Sequence, residues 1–174
     1  MRLASLLLVL STVTPALADD SLVATRPAKT LAIDGVAVLP LGDYADAASL
    51  GAGAFVRLEV PLGTGFLIGR VGVIGHSVNQ MAVTSLTLVP VLVGYRQPVG
   101  TGGAYVAGEL GITFGYATAD TRFGNLSDTD SELGFMLGAG WRRGPLDLRA
   151  SLFAPDADDV HGFMASLGYD FASL

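Results

Sequence analysis

The amino-acid sequence predicts an all-β fold, an eight-stranded antiparallel up-and-down transmembrane β-barrel. Three observations predict it. The chain of 174 residues is 51% hydrophobic and only 15% charged, yet no stretch supplies the ~18 uninterrupted apolar residues that a membrane helix needs. From residue 30 onward the apolar residues recur with a period of two rather than 3.6. Between these runs, tight turns and longer polar links alternate, as they do in a barrel with short turns at one end and longer loops at the other. The 23 glycines argue further against long helices.

Residues 1–18 are expected to be a secretory signal peptide: Arg2, an apolar stretch from Leu3 to Val13, and Ala16-Leu17-Ala18 ahead of Asp19 match its three parts. Removal takes away Arg2 and no acid, so the net charge of −6 becomes −7, nine basic residues against 16 acidic. The absence of cysteine excludes disulfides and thiol catalysis. An acidic exported chain with a single lysine, Lys29, is not built for nucleic acid. Residues 19–29 are polar and read as a flexible lead-in, residues 30–171 as the barrel, and residues 172–174 as a C-terminal tail.

The first run, 30–39, sets Asp34 opposite Leu31, Ile33 and Leu39. In the second, Ala52, Ala54, Val56, Leu58 and Val60 alternate with Gly51, Gly53, Phe55, Arg57 and Glu59. The third, 65–76, groups Arg70 with Phe66, Ile68 and Ile74. The fourth, 83–97, is apolar on both faces; Val89, Val91, Val93 and Tyr95 are assigned outward because Gly94 and Arg96 suit an interior. Pro90 inside it predicts a bulge or a missing ladder bond. In the fifth, Val106, Leu110, Ile112, Phe114 and Tyr116 oppose Tyr105, Glu109, Gly111, Thr113 and Gly115. The sixth sets Leu133, Phe135, Leu137, Ala139 and Trp141 against Glu132, Met136, Arg142 and three glycines. The seventh sets Leu146, Leu148, Ala150 and Leu152 against Asp147, Arg149, Ser151 and Phe153. The eighth sets Phe163, Ala165, Leu167, Tyr169 and Phe171 against Met164, Ser166, Asp170 and two glycines. Links 41–49, 77–82, 117–129 and 155–159 are expected as the longer polar loops.

Either face of such a meander could be wet. A soluble lipocalin-like barrel buries its apolar face and shows a polar face to water. Here the polar faces are rich in glycine, which weakens a solvated strand but makes room for large neighbours inside a narrow barrel. Aromatic residues gather toward strand ends: Tyr95, Trp141, Tyr169 and Phe171 at one end, Phe114, Tyr116 and Phe163 at the other. That is the pattern of interfacial girdles. The apolar face is therefore expected to meet lipid.

On TLVPVLVGYRQ, ELGITFGYA and the closing MASLGYDF, the chain resembles the small outer-membrane β-barrel domains of Gram-negative bacteria, the OmpX-like and OmpW-like groups. The resemblance covers residues 30–171. It implies short periplasmic turns, longer extracellular loops, an outer-membrane location, contact with lipopolysaccharide, insertion by the barrel assembly machinery and a monomeric state. Such barrels usually end on an aromatic residue, whereas here Ala172, Ser173 and Leu174 follow Phe171.

The inward set brings Asp34, Glu59, Glu109, Glu132, Asp147 and Asp170 against Arg57, Arg70 and Arg149, with Arg96 and Arg142 near the short-turn rim. An eight-stranded interior is just filled by side chains, so a salt-bridged plug is the expectation, with a small gated pore or proton-linked site as the sharper reading. His76, Ser77 and His161 at the long-loop rim raise a second possibility, a lipid A-modifying hydrolase or acyltransferase. Adjacent His76 and Ser77 would point to opposite faces of a strand, which is unsuited to a nucleophile and its base. Asp156, Asp158 and Asp159 supply three carboxylates where a divalent cation takes six or more oxygens. No zinc spacing, phosphate loop or dinucleotide fingerprint is present, and no cofactor is expected. The expected function is non-enzymatic: envelope structure, surface interaction or limited passage of small solutes. The alternatives are the lipid-modifying enzyme and a secreted barrel binding an apolar ligand.

Overall fold

The computed structural model describes residues 29–78, 85–121, 124–157 and 160–174. Eight strands follow one another: β1 (Thr30–Leu41), β2 (Gly51–Leu62), β3 (Gly65–His76), β4 (Ser85–Pro98), β5 (Ala104–Thr121), β6 (Gly124–Arg143), β7 (Leu146–Asp156) and β8 (Val160–Ser173). Each pairs antiparallel with the next, and β8 returns to β1, so the sheet closes in sequence order. The signal-peptide and lead-in assignments through residue 28 lie outside the described residues.

The short turns form where glycine permits a left-handed backbone. Gly63 (φ 60°) and Gly144 (φ 59°) each open a two-residue connection between paired strand ends, Leu62 with Gly65 and Arg143 with Leu146. A glycine in the first central position is the signature of the type II′ hairpin, whose twist matches that of the strands. The terminal pair Thr30 and Ser173 puts both ends of the barrel on this short-turn side.

The long-loop side departs from expectation in three places. The polar stretch 117–129 is mostly not a loop: β5 and β6 continue past the barrel wall and pair as far as Thr121 with Gly124. Its polarity misleads because strands beyond a membrane need no apolar face. The first link contains a helix, α1 (Asp43–Ala47), entered through Gly42 at φ 57°. Pro155 and Asp156 belong to β7. The tail also differs. Leu31 pairs with Ala172 but Ala32 with Asp170, leaving Phe171 as the extra residue of a bulge; Ala172 and Ser173 complete the strand.

Pro90 does not shift the register. Phe66–Val71 pair with Arg96–Val91 and Ile74–His76 with Leu88–Leu86 on the same alignment, and the ladder lapses only at the two positions between. A missing donor interrupts hydrogen bonding locally without forcing a slip.

The polarity is inside-out. Leu and Val side chains on the outer wall stand open, Leu110 at 61% and Leu137 at 56% exposure, while Arg57, Glu59 and Arg70 are 3% exposed or less. The interior has two storeys. Charged residues fill the half nearer the short turns; above them Phe55, Ile74, Met136, Phe153 and Met164 form an apolar layer against Tyr44 and Ala48 at the α1 end. No helix among the described residues is long and apolar enough to cross a membrane.

Candidate functional site

The lower storey is a closed set of ion pairs. Arg57 on β2 is its hub, touching Asp34 of β1 at 3.1 Å, Glu59 of its own strand, Asp147 of β7 at 3.3 Å and Asp170 of β8 at 3.3 Å. Arg70 reaches Asp34 at 2.8 Å and Glu109 at 3.7 Å. Arg96 pairs with Glu59 at 2.7 Å and Asp147 at 3.3 Å. Arg142 binds Glu59 and Asp147 at 3.0 Å each and Asp170 at 3.3 Å. Arg149 pairs with Glu109. Five carboxylates thus face five guanidiniums, and every charge in the set has an opposite partner. That is the condition for keeping charges in a low-dielectric interior, where an unpaired one is expensive.

Alternation explains the convergence. Asp34, Arg57, Glu59, Arg70, Glu109, Asp147, Arg149 and Asp170 all occupy the inward-facing positions of their strands. Glycine then clears space for the bulk. A Cβ on Gly168 would strike the Asp34 carboxylate and stand 2.9 Å from Arg57 Nη2, and one on Gly72 would lie 2.5 Å from the Phe55 ring. Rings cover the cations in turn: Arg70 lies 4.5 Å above Phe55, and Arg96 lies 4.5 Å above Phe66 and 5.1 Å above Tyr105. Such stacking is worth more where water is excluded. The residual void among these groups is about 10 Å³, the room of about one water molecule.

The aromatic contribution is absent from the sequence expectation. Tyr105 donates to Asp147, while Phe55 and Phe66 stack on arginines. All three sit on the inward phase of their strands, and that phase is the available signal. Glu132 is the exception among the expected lumen residues: it is exposed above the apolar layer and lines a separate cavity at the long-loop mouth. Met136 of that layer follows it along β6 toward the short turns, so Glu132 is lifted clear of the network.

The aromatic residues expected as girdles take outward positions. Trp141, Tyr169 and Phe171 are exposed at the short-turn end, as are Tyr116 and Phe163 toward the other, and Phe114 is half-buried. Two are anchored to backbone, Tyr95 hydroxyl to the Leu62 carbonyl at 2.8 Å and Trp141 indole to the Gly102 carbonyl at 2.7 Å.

The rim residues do not assemble. His76 ends β3 pointing inward, 5% exposed, and its Nε2 is 2.7 Å from the Tyr44 hydroxyl. Ser77 next to it is exposed. His161 lies at the start of β8, separated from β3 by β1 and β2 in the sheet. Burial raises the Tyr44 hydroxyl well above the ordinary tyrosine value, which keeps it protonated. Of the acidic trio near β7, Asp158 and Asp159 lie outside the described residues, and no group of three His, Asp or Glu among the described residues could hold a metal ion.

No protein-family model matches the chain, and no curated protein matches it in sequence. Solved structures do match in fold. The chain is similar to Ail, the attachment invasion locus protein of Yersinia pestis, with 18% identity and a TM-score of 0.63 over 83% of this chain and 99% of Ail. A second Ail structure, in complex with the heparin analogue sucrose octasulfate, gives a TM-score of 0.62 at 18% identity over 82% of this chain and 97% of Ail. Neisserial surface protein A matches with a TM-score of 0.55 and 13% identity over 82% of this chain and 97% of that protein. With its closed meander of eight strands and apolar outer wall, the chain has the fold of the small eight-stranded outer-membrane β-barrels.

Proposed function

We propose that this protein is an exported, monomeric, non-enzymatic outer-membrane barrel whose lumen is closed and whose work is done by the long-loop face that it holds at the surface. The observation that carries the reading is the self-neutral network of five acids and five arginines around Arg57, with an interior void of about 10 Å³. A solute path would need a continuous gap, and each charge lining it would need hydration instead of a fixed partner. The tie between His76 and Tyr44 supports the absence of an esterase-type triad, because the imidazole is engaged away from Ser77. Lipid and lipopolysaccharide would contact the exposed leucines and valines, the outward aromatic residues would mark the two interfaces, and the barrel assembly machinery would insert the chain.

Reconstitution in planar bilayers tests the closed lumen: the wild type is expected to give no resolvable conductance steps, while the same protein with Arg57, Arg96 and Arg142 all changed to Ala opens a leak. Steady wild-type channels would overturn the plug. Extraction by detergent but not by salt tests the membrane location, and a changed lipid A acylation profile in His76→Ala cells would restore the enzymatic reading.

A further inference from the structure

The link between β1 and β2 tucks into the mouth of the barrel instead of standing clear of it. Within α1, Tyr44 is buried while Asp43, Ala45 and Asp46 are exposed, and Ala48 just past its end is buried as well. A helix of five residues has no stability of its own. It carries two backbone hydrogen bonds, Ala45 N to the Gly42 carbonyl and Ala48 N to the Tyr44 carbonyl at 2.9 Å each, and no side-chain cap. Tertiary contacts therefore hold it. Tyr44 and Ala48 seat on the apolar layer, and one polar tie joins the Tyr44 hydroxyl to His76 Nε2 at 2.7 Å. The segment is entered through Gly42 at φ 57°, where the missing Cβ leaves the backbone free to turn. Its far end is pinned by Ser49 N on the Ser77 carbonyl at 2.8 Å.

The surroundings of His76 suit only its neutral form. Its ring lies on Gly51 of β2, where a Cβ would strike it, and Leu86 stands beside it on β4; neither neighbour is ionisable. Nδ1 is buried and has no hydrogen-bond partner among the described residues. An imidazolium carries two donors, of which Tyr44 can accept one, and a buried charged donor without an acceptor is expensive. The other ionisable groups at this mouth are Asp43 and Asp46 on α1, Asp130 and Glu132 on β6, Asp156 on β7 and His161 on β8. None of them bonds to Nδ1.

We infer that α1 is a lid on the outer mouth of the lumen, latched by Tyr44 to neutral His76 and released when the imidazole takes up a proton. The closed lid holds the ring neutral and the lifted lid gives it to water. Closure is therefore fully stable above the ordinary histidine value of about 6.5 and weakens as the pH falls below it. Lifting withdraws Tyr44 and Ala48 from the apolar layer and bares that layer to the outside. The ion pairs beneath are untouched, so the lid works whether or not the lumen conducts.

The absence of cysteine allows a direct test on the full chain in detergent micelles. Ala48→Cys places a thiol under the lid, and Leu50→Cys, in a second protein, places one at a site that is 62% exposed. Both react with a water-soluble methanethiosulfonate, and the ratio of the two rates removes the reagent's own pH dependence. At about pH 8, well above the histidine value, position 48 is expected to react at least tenfold more slowly than position 50. Toward about pH 5 the ratio should rise at least fivefold, within the roughly thirtyfold that proton linkage allows. His76→Gln, whose carboxamide can bond to Tyr44 without a charge, should leave the ratio flat while every other ionisable group stays in place. His161→Gln should keep the step. Each variant is first checked for the heat-modifiable mobility of the folded barrel. If His76→Gln fails that check, Tyr44→Phe decides: loss of the hydroxyl should speed labelling of position 48 at least fivefold at about pH 8. A flat ratio with His76 in place, a step that survives His76→Gln or is lost in His161→Gln, or unchanged labelling in Tyr44→Phe overturns the inference.

Discussion

Replacing Arg57 with Met should destabilise the barrel more than any other single change in the lumen. Met retains the apolar stem and removes the charge that Asp34, Glu59, Asp147 and Asp170 share. Each acid keeps another arginine: Arg70 for Asp34, Arg96 and Arg142 for Glu59 and Asp147, Arg142 for Asp170. The loss is therefore one uncompensated buried negative charge, not four. Breaking a buried pair on one side costs about 3–5 kcal/mol, roughly a hundred- to several-thousand-fold in the folding equilibrium. Arg142, whose side chain is 18% exposed against 4% for Arg57, should cost less because water reaches it. The assay is urea unfolding in phospholipid vesicles read by the fluorescence of Trp141, the single tryptophan, which lies on the outer wall at 43% exposure. Adding Glu59→Gln restores neutrality, and the pair should show a coupling of about 0.5–3 kcal/mol. A cost for Arg57→Met below about 1 kcal/mol, or strict additivity with Glu59→Gln, would refute the hub.

On the outer wall, Leu110→Arg should cost about 2–4 kcal/mol in vesicles; a neutral result would mean that this face meets water and that the barrel is soluble. Gly72→Val, whose Cβ would lie 2.5 Å from the Phe55 ring and 2.6 Å from the Ala54 carbonyl, should lose about 1–3 kcal/mol by overpacking, measured by the same unfolding curves. Gly69→Ala, with nothing within 4 Å, is the control and should be neutral or slightly stabilising. Tyr44→Phe should leave His76 Nε2 unpartnered and cost about 1–3 kcal/mol, seen as faster amide exchange at Ala45 and Ala48. Because burial raises the Tyr44 pKa, its contribution is present below the unfolded tyrosine value of about 10 and is lost as pH rises above it; Tyr44→Phe should lack that alkaline step.

The barrel is legible in the sequence because lipid on one side and a narrow lumen on the other impose a strict two-residue alternation. The same alternation places Asp34, Arg57, Glu59 and Arg149 on one inner surface. It does not say which charges meet, since pairing depends on the relative stagger of strands far apart in sequence. Nor does it separate Glu132 from the network, because phase alone says inward and not how high. The extended β5–β6 hairpin is hidden for a physical reason: outside the bilayer the apolar face disappears, and residues 117–129 then resemble a loop. The helix α1 escapes because five residues carry too little periodicity to register.

The partners of Arg57 also bear on how the barrel closes. Its four carboxylates come from β1, β2, β7 and β8, the strands on either side of the seam where the last meets the first. An unclosed sheet would leave strand edges unpaired in lipid, which is costly whichever strands form them. The outer leucines and valines fix only whether the register is odd or even, since a two-residue slip leaves each of them facing lipid. The network does choose. Only the register that pairs Ala32 with Asp170, with Phe171 set aside in the bulge, brings Asp170 and Asp34 together onto one guanidinium. A two-residue slip of β8 would keep Asp170 inward but carry it about 7 Å along the barrel, away from its 3.3 Å contacts with Arg57 and Arg142. The buried charges thus supply what the hydrophobic wall lacks, a reason for β8 to close on β1 in one register and no other.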